Sequence, residues 1–177
     1  AGFSAAGKIQ NIFATVFTSF GATIATYVGQ NRGAGKMDRV KLGVRYTQLM
    51  IWGWSIFVML LMFFFGKYLT YLFVDPSEQN VVQVSVTYFR TVFWAYPFLG
   101  SIFLYRNTLQ GMGYGLLPML SGVAELVGRG IMAIVASNKK SYTMACMASP
   151  FAWIIATVLL IGLYFYVMKD MKKKLCL

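Results

Sequence analysis

The chain has 177 residues, of which 58% are hydrophobic and only 12% are charged, and its mean hydropathy is +0.63. A soluble domain of this length could not cover so much apolar surface, so the composition excludes a soluble protein. The net charge of +11 would favour nucleic acid as a partner of a soluble protein. A nucleic-acid site gathers its charges on one soluble face. Most basic residues of this chain instead follow apolar segments, so we expect no nucleic-acid partner.

Five apolar segments fill almost the whole chain, and each is about long enough to cross a lipid bilayer. A helix needs roughly 20 residues to cross a hydrocarbon core of about 30 Å. The sequence therefore predicts an all-α, polytopic membrane bundle with residues 1–177 as a single transmembrane domain. The predicted spans are Gln10–Val28, Tyr46–Gly66, Gln83–Tyr105, Leu116–Ala136 and a fifth over 143–168, whose apolar core is Phe151–Met168.

The first span carries a stripe of polar and small residues on one helix face, at spacings of three and four. Its members are Asn11, Thr15, Thr18, Ala22 and Thr26. A second pattern of small residues, Gly21, Ala25 and Gly29, would let two helix backbones approach closely. We expect the stripe to be a packing face buried in the bundle. The wall of a water-filled cavity is the alternative, and the two are compatible.

A glycine-rich string, Gly29–Arg39, follows the first span. It fails as a phosphate loop, since Met37 stands where a Ser or Thr should bind Mg²⁺. It also fails as a dinucleotide fingerprint, because Asp38 replaces the third glycine of that pattern. The residues that define the string are Gly29, Gln30, Asn31, Gly33, Ala34, Gly35 and Lys36. We expect it to form a flexible, basic connector between two spans.

The third span contains Pro97, which removes a backbone donor and should kink the helix. Arg90 lies in the same span, nearer its outer end, and we expect it to snorkel to lipid headgroups or to cap a cavity. A glycine-rich turn, Gly111–Gly115, ends the segment. Pro118 then falls in the first turn of the fourth helix, where a missing N–H costs little.

Glu125 and Arg129 are the residues whose placement inside a membrane costs the most free energy. Glu125 lies about nine residues beyond Leu116, roughly 14 Å into its helix. An isolated charge near the bilayer centre costs at least about 2.5–3.5 kcal/mol. The spacing of four places both side chains on one face, where they can pair. We expect a structural salt bridge; cation or substrate handling, and a functionless pair in a wet vestibule, are the alternatives.

The fifth helix is predicted to begin near Tyr142 and to bend at Pro150. Basic residues are distributed ten against four between the two predicted sides of the membrane, which places the C-terminus in the cytoplasm and the N-terminus outside. We therefore expect a multi-pass protein of the cell membrane, with membrane lipid as a partner and the basic run 172–174 as an anchor at anionic lipid. The ten basic residues on the cytoplasmic side are Arg32, Lys36, Arg39, Lys41, Arg45, Arg106, Lys169, Lys172, Lys173 and Lys174.

The sequence contains no His, and Cys146 and Cys176 fall on opposite sides of the predicted topology. We therefore expect neither a metal site nor a disulfide, and no cofactor. No nucleophile–base arrangement and no membrane-embedded acid pair is present, so we expect no enzyme. The chain begins at Ala1 and has an odd number of predicted spans, which favours a fragment of a longer protein.

Three strings together resemble the multidrug and toxic compound extrusion (MATE) family. Gly29–Arg39 resembles the GQNxGAGK element that follows the second helix of each half of that family. Residues 107–113 with Pro118 resemble the turn between the fourth and fifth helices of a half, and 125–129 resembles the helix after it. Members have twelve helices in two six-helix bundles. The resemblance implies that this chain is helices eight to twelve, part of the C-terminal lobe, and that the N-terminal lobe of the same polypeptide is its partner.

The same resemblance implies a secondary antiporter that exports small amphiphilic, often cationic compounds in exchange for H⁺ or Na⁺ by alternating access. The acidic residue usually implicated in coupling belongs to the first bundle, which this chain lacks. Candidate ion or substrate residues here are Glu125, Arg129, Asn11, Thr15 and Arg90. One alternative is a flippase of lipid-linked precursors or a polysaccharide exporter of the same superfamily, whose cavity is more cationic. Another is a membrane scaffold that transports nothing.

Overall fold

The computed structural model describes residues 2–139 and 141–174, with side chains up to Met171. Ala1, Lys140 and residues 175–177 lie outside this part. Cys176 is among them, so the predicted absence of a disulfide between Cys146 and Cys176 concerns a residue outside the described ones. Cys146 itself is buried and has a free thiol.

Helices make up nearly all of the described residues, and no strand occurs among them, so the predicted all-α bundle is confirmed. Four helical stretches are long and apolar enough to cross a membrane: Gly2–Gly33, Met37–Thr70, Leu116–Lys139 and Tyr142–Met171. The helices are α1 (Gly2–Gly33), α2 (Met37–Thr70), α3 (Gln79–Val92), α4 (Tyr96–Gly111), α5 (Leu116–Lys139), α6 (Tyr142–Cys146) and α7 (Ala148–Lys174).

The third predicted span, Gln83–Tyr105, is helical but is interrupted just before Pro97. A 3₁₀ turn, Phe93–Ala95, separates α3 from α4, and Pro97 lies in the first turn of α4 rather than at the bend. Proline suits that position because its missing N–H would have no intrahelical partner there. The break therefore comes just before the proline, and it produces two shorter helices that meet in the bundle interior.

The chain between α1 and α2 is also more ordered than the sequence suggested. The expectation of a flexible connector over Gly29–Arg39 is wrong, because α1 continues to Gly33 and α2 begins at Met37. Gly35 adopts a positive φ of 72°, and Lys36 N donates to Asn31 O at 2.8 Å to close the turn. A glycine with positive φ just beyond a helix is a common way to satisfy the last carbonyls. The string is thus a helix end and a tight turn.

The last membrane segment begins at Tyr142, as the sequence predicts, and it is interrupted just before Pro150. The short helix α6 ends at Cys146, and α7 begins at Ala148 with Pro150 inside its first turn. The interruption at Met147 again precedes the proline. In both interrupted segments the proline lies in the first turn of the new helix, which fits its fixed φ and its missing donor.

Helix α4 is the centre of the bundle and contacts α1, α2, α5 and α7. Its first residue, Tyr96, is fully buried and packs on Phe17 of α1 and on Phe93, with ring centroids 5.0 and 4.7 Å apart. Aromatic pairs at these separations are worth about 0.5–1.5 kcal/mol beyond their buried area. The aromatic cluster therefore holds the interrupted segment against α1.

The small-residue pattern of α1 packs on α4, as the sequence predicts. A Cβ added to Gly111 would lie 2.5 Å from Ala25 O, and one added to Gly21 would lie 2.5 Å from Asn107 Nδ2. Real Cβ atoms do not approach other atoms this closely, so Gly111, which faces a backbone oxygen, needs glycine while the helices keep this separation. At Gly21 the neighbour is the end of the Asn107 side chain, which would have to move. Close backbone approach through small residues is a usual basis of helix association in membranes, where burial from water gives no driving force.

Candidate functional site

The polar stripe of α1 (Asn11, Thr15, Thr18, Ala22 and Thr26) is exposed along its whole length. Its hydroxyls bond to carbonyls of their own helix: Thr15 Oγ1 donates to Asn11 O at 3.0 Å, and Thr26 Oγ1 to Ala22 O at 3.2 Å. The expected burial of the stripe within the bundle is therefore wrong among the described residues. The cavity-wall interpretation stays a prediction.

Contacts made by α1 fix the direction in which the stripe faces. Helix α2 touches α1 at Phe13 and Tyr27, where Trp54 Nε1 donates to Phe13 O and Tyr27 OH donates to Arg39 O, both at 3.3 Å. Helix α4 touches the Gly21 side. At about 100° per residue, the stripe lies roughly half a turn from the α2 contacts. It therefore faces away from α2.

The same reasoning places Arg106 of α4. Ser101 faces α2, since Gln48 Nε2 donates to Ser101 Oγ at 2.9 Å, and Asn107 faces α1 at Gly21. At about 100° per residue, Arg106 points roughly 140° away from Ser101 and about 100° away from Asn107. The stripe of α1 and Arg106 of α4 thus lie on one side of the bundle, opposite α2. We call this side the polar face.

Four side chains of α4 and α5 meet on the polar face: Arg106, Ser121, Glu125 and Arg129, here called the arginine–glutamate cluster. Arg106 Nη2 lies 2.8 Å from Glu125 Oε1, and Arg129 Nη2 lies 3.3 Å from Glu125 Oε2. Arg106 also donates to Ser121 Oγ from Nε at 3.1 Å and from Nη2 at 2.9 Å. The predicted pairing of Glu125 with Arg129 is present, but Arg106 is the nearer partner.

Local structure at the start of α5 positions this cluster. Ser121 is buried, and its hydroxyl donates to Pro118 O at 2.6 Å while it accepts from Arg106. The side chains of Glu125, Arg106 and Arg129 are 18%, 32% and 52% exposed, so the carboxylate is the most enclosed of the three charged groups. The carboxylate thereby links α4 to α5.

Sequence reasoning missed Arg106 and Ser121. Arg106 counted there only as a basic residue after the third span, and Ser121 carried no signal. Helix α4 continues to Gly111, beyond the predicted end of the span at Tyr105, so Arg106 lies inside a helix rather than after one. A search for charges one helix away from Glu125 would have suggested Arg106, but only the packing of α4 on α5 identifies it.

Arg90 is not part of this cluster. It lies in the last turn of α3, is exposed, and lines a cavity of about 130 Å³ with residues of α2 and the 3₁₀ turn. Its neighbours in this cavity are Met59, Phe63, Phe89, Phe93 and Trp94. The snorkelling and capping interpretations of Arg90 both stay predictions.

The glycine-rich string contacts the second family-like string rather than the cluster. Gly113 has a positive φ of 78°, and a Cβ there would lie 2.5 Å from Arg32 Nη1. Gly29 lies close to Gly111 O, at 3.6 Å from an added Cβ. The end of α1 therefore packs on the turn between α4 and α5. Among the described residues, no group of three or more His, Cys, Asp or Glu side chains is arranged to hold a metal ion.

Comparison with known proteins gives one family and one weak relative. The model of the MatE family matches residues 1–135. The chain is also similar to "Probable multidrug resistance protein YpnP" of Bacillus subtilis (strain 168), with 26% identity over 112 residues that cover 63% of this chain and 25% of that protein. The chain thus covers only 25% of the length of this relative. No solved structure matches the chain.

Proposed function

The chain belongs to the MatE family, and from this premise we propose that it forms part of a secondary active antiporter rather than an enzyme. The protein would export amphiphilic, often cationic drugs or metabolites in exchange for H⁺ or Na⁺. Export would proceed by alternating access, with the N-terminal lobe of the same polypeptide facing this chain. The name of the relative, a multidrug resistance protein, supports this class of substrate.

The observation that carries the proposal is the exposed polar stripe of α1. Hydroxyl and amide groups are costly against lipid tails and usually face a bundle interior or a water-filled cavity in membrane proteins. Asn11 and Thr15 are exposed in a helix whose small-residue side is packed on α4. A cleft between this polar face and a second lobe would give these groups water and substrate as partners.

Substitution of the stripe tests this proposal in the full-length protein. We expect Asn11→Leu with Thr15→Val to slow efflux of a cationic dye about two- to tenfold, which corresponds to the loss of one hydrogen bond of about 0.5–1.5 kcal/mol. Thr87→Val is the matched control, because Thr87 Oγ1 also donates to a carbonyl of its own helix, Gln83 O at 2.9 Å, but lies on α3. Equal efflux in the two variants would rule out the cavity wall.

A second candidate is favoured by the arginine–glutamate cluster. Two guanidinium groups surround one carboxylate on the polar face, which gives that face a positive charge. A flippase of lipid-linked precursors, or a polysaccharide exporter, needs such a face to hold anionic groups. Translocation of a pyrophosphate-linked lipid without dye export would favour this candidate. A protein that moves neither compound would favour the non-transporting scaffold.

The proposed orientation places the protein in the cell membrane with the C-terminal end of the chain in the cytoplasm. A single cysteine at Asn138, in a background without Cys146 and Cys176, should then react with an impermeant maleimide added to intact cells. A single cysteine at Gly35 should react only after permeabilisation. The reverse pattern would overturn the orientation that the basic residues predict.

A further inference from the structure

The arginine–glutamate cluster carries an excess of positive charge. Glu125 contacts both Arg106 and Arg129, at 2.8 and 3.3 Å, and these three are its charged members. One guanidinium charge is therefore not neutralised within the cluster. An uncompensated charge in a membrane span is costly and requires water or an anion nearby.

The two guanidinium groups also have hydrogen-bond donors to spare. Each guanidinium has five N–H donors in a planar fork. Contacts with described residues use Nε and Nη2 of Arg106 and only Nη2 of Arg129. Nη1 of Arg106, together with Nε and Nη1 of Arg129, has no partner among the described residues. Arg129 is half exposed on the polar face, so a ligand there can reach it.

Arg106 and Arg129 approach the two oxygens of Glu125 from different helices, α4 and α5. Glu125 thus holds both guanidinium groups next to one carboxylate. Carboxylate and phosphate oxygens are the groups that two such forks bind best. Ser121 fixes Arg106 from the side away from its free nitrogen Nη1.

We propose that Arg106 and Arg129 form a binding site for an anionic oxygen group, either a phosphate or a carboxylate, on the polar face. Glu125 keeps the two guanidinium groups in place when the site is empty and competes with the ligand when it arrives. The ligand is the headgroup of an anionic lipid or the anionic group of a soluble molecule in the cleft. The inference rests on the proposed function only in treating the polar face as the wall of a cleft.

Ligand binding by the purified full-length protein tests this site in neutral detergent at low ionic strength. The thermal midpoint is titrated with dioleoyl phosphatidylglycerol, with inorganic phosphate, and with dioleoyl phosphatidylcholine as the zwitterionic control. We expect stabilisation by an anion, and we expect Arg129→Gln to weaken the apparent affinity about tenfold, the loss of one charged hydrogen bond. Arg45→Gln, which removes an exposed arginine of α2 on the side opposite the polar face, should leave the affinity unchanged.

The outcomes separate the two sources. Stabilisation by phosphatidylglycerol alone, with the Arg129 dependence, assigns the site to a lipid headgroup. Stabilisation by phosphate with the same dependence assigns it to a soluble anion. Equal affinities in Arg129→Gln and Arg45→Gln, or no stabilisation by either anion, would overturn the site.

Glu125→Gln supplies a second, independent measurement. Removing the competing carboxylate leaves both guanidinium groups free for the ligand, so the anion should bind several-fold more tightly. Weaker binding in this variant would show that Glu125 is not a competitor and would contradict the proposal. These binding measurements do not depend on efflux. Dye export by the variant with Asn11→Leu and Thr15→Val therefore tests the proposed function separately.

Discussion

Helix α4 makes polar contacts with two neighbouring helices, and these contacts differ in charge: the pair shared with α2 is neutral and the pair shared with α5 is charged. Towards α2, Gln48 Nε2 donates to Ser101 Oγ at 2.9 Å, and the two residues are only 9% and 5% exposed. Towards α5, Arg106 and Glu125 meet at 2.8 Å with their side chains 32% and 18% exposed. The neutral pair is enclosed in the bundle, and the charged pair lies at its edge.

The difference follows from the cost of desolvation. A neutral amide and a hydroxyl lose little on burial if they bond to each other, whereas charged groups lose several kcal/mol each unless water or further partners remain. Buried polar contacts of α4 therefore hold the bundle together on the α2 side. The charged pair lies on the polar face, where its groups stay partly exposed.

The largest expected effect comes from the buried side, where α4 meets α1. Gly111→Ala would place a Cβ 2.5 Å from the backbone oxygen of Ala25, and a backbone atom cannot swing aside as a side chain can. We expect a loss of about 1–3 kcal/mol of stability. Gly122→Ala on α5, next to the cluster residue Ser121, is the control, because no atom lies within 4 Å of its added Cβ. It should leave stability unchanged or raise it by up to about 1 kcal/mol.

Thermal unfolding in detergent measures both glycine variants. Opposite signs would sharpen the contrast between the packed side of α4 and the open polar face. A similar loss in both variants would instead indicate that helix geometry, rather than contact with α1, determines the sensitivity.

The neutral pair should respond unequally to removal of its two partners. Ser101→Ala leaves the buried Gln48 amide without the bond it donates at 2.9 Å, and we expect a cost of about 1–2 kcal/mol. Gln48→Leu should cost less, about 0.6 kcal/mol, because Ser101 Oγ still donates to Pro97 O at 2.8 Å. Thermal unfolding of the two variants compares the costs. A larger loss for Gln48→Leu would mean that the amide contributes mainly by its packing volume.

Removal of the cluster carboxylate should have a smaller effect, since its groups are partly exposed. Glu125→Gln leaves two guanidinium groups unpaired, and we expect a loss of about 1 kcal/mol. Adding Arg106→Met should restore more of this stability than adding Arg129→Met, because Arg106 is nearer and less exposed. Transport should return with the stability. A variant Glu125→Gln that is stable but has lost ion-driven efflux would contradict a structural role and favour cation handling.

The smallest effect is expected outside the membrane segments, in the turn between α2 and α3. The backbone N–H of Ser77 donates to Asp75 Oδ1 at 2.8 Å, and this bond, followed by one from the Ser77 side chain, lowers the pKa of Asp75 from its usual 3.8. Because the pKa is lower in the folded state, the stabilisation is present above pH 3.8 and is lost as the pH falls through the folded value. Asp75→Asn should therefore lower the thermal midpoint slightly at about pH 7, and this difference should shrink as the pH falls below 3.8. A midpoint difference that does not change with pH would exclude this bond as its cause.

Much of the fold could be predicted because it depends on local patterns. Apolar runs of membrane length gave the all-α bundle, the Gly21, Ala25 and Gly29 pattern gave a close helix contact, and the spacing of Glu125 and Arg129 gave their pairing. The third span could not be predicted as two helices. Its length and composition suit a single membrane helix, whereas the 3₁₀ turn at Phe93–Ala95 lies where Phe93 stacks on Tyr96 and Tyr96 packs on Phe17.

The candidate site was predicted less completely than the fold. Glu125 and Arg129 are recognisable because they lie on one helix, while Arg106 belongs to another helix and becomes a partner only when α4 and α5 pack together. Burial of the α1 stripe was expected wrongly because periodicity shows that residues share a face but not what covers that face. The coupling ion, the substrate and the facing lobe stay predictions of the resemblance.

The sequence by itself determined that this chain is a helical membrane protein of the MatE family, because hydropathy and family strings are properties of consecutive residues. Only the tertiary structure decided that α4 lies at the centre and that the glycine-rich string is a helix end against the turn at Gly113. It also decided that Glu125 bonds to Arg106 across two helices. Such contacts join residues far apart in the chain, so they depend on how the helices pack, which no local pattern specifies.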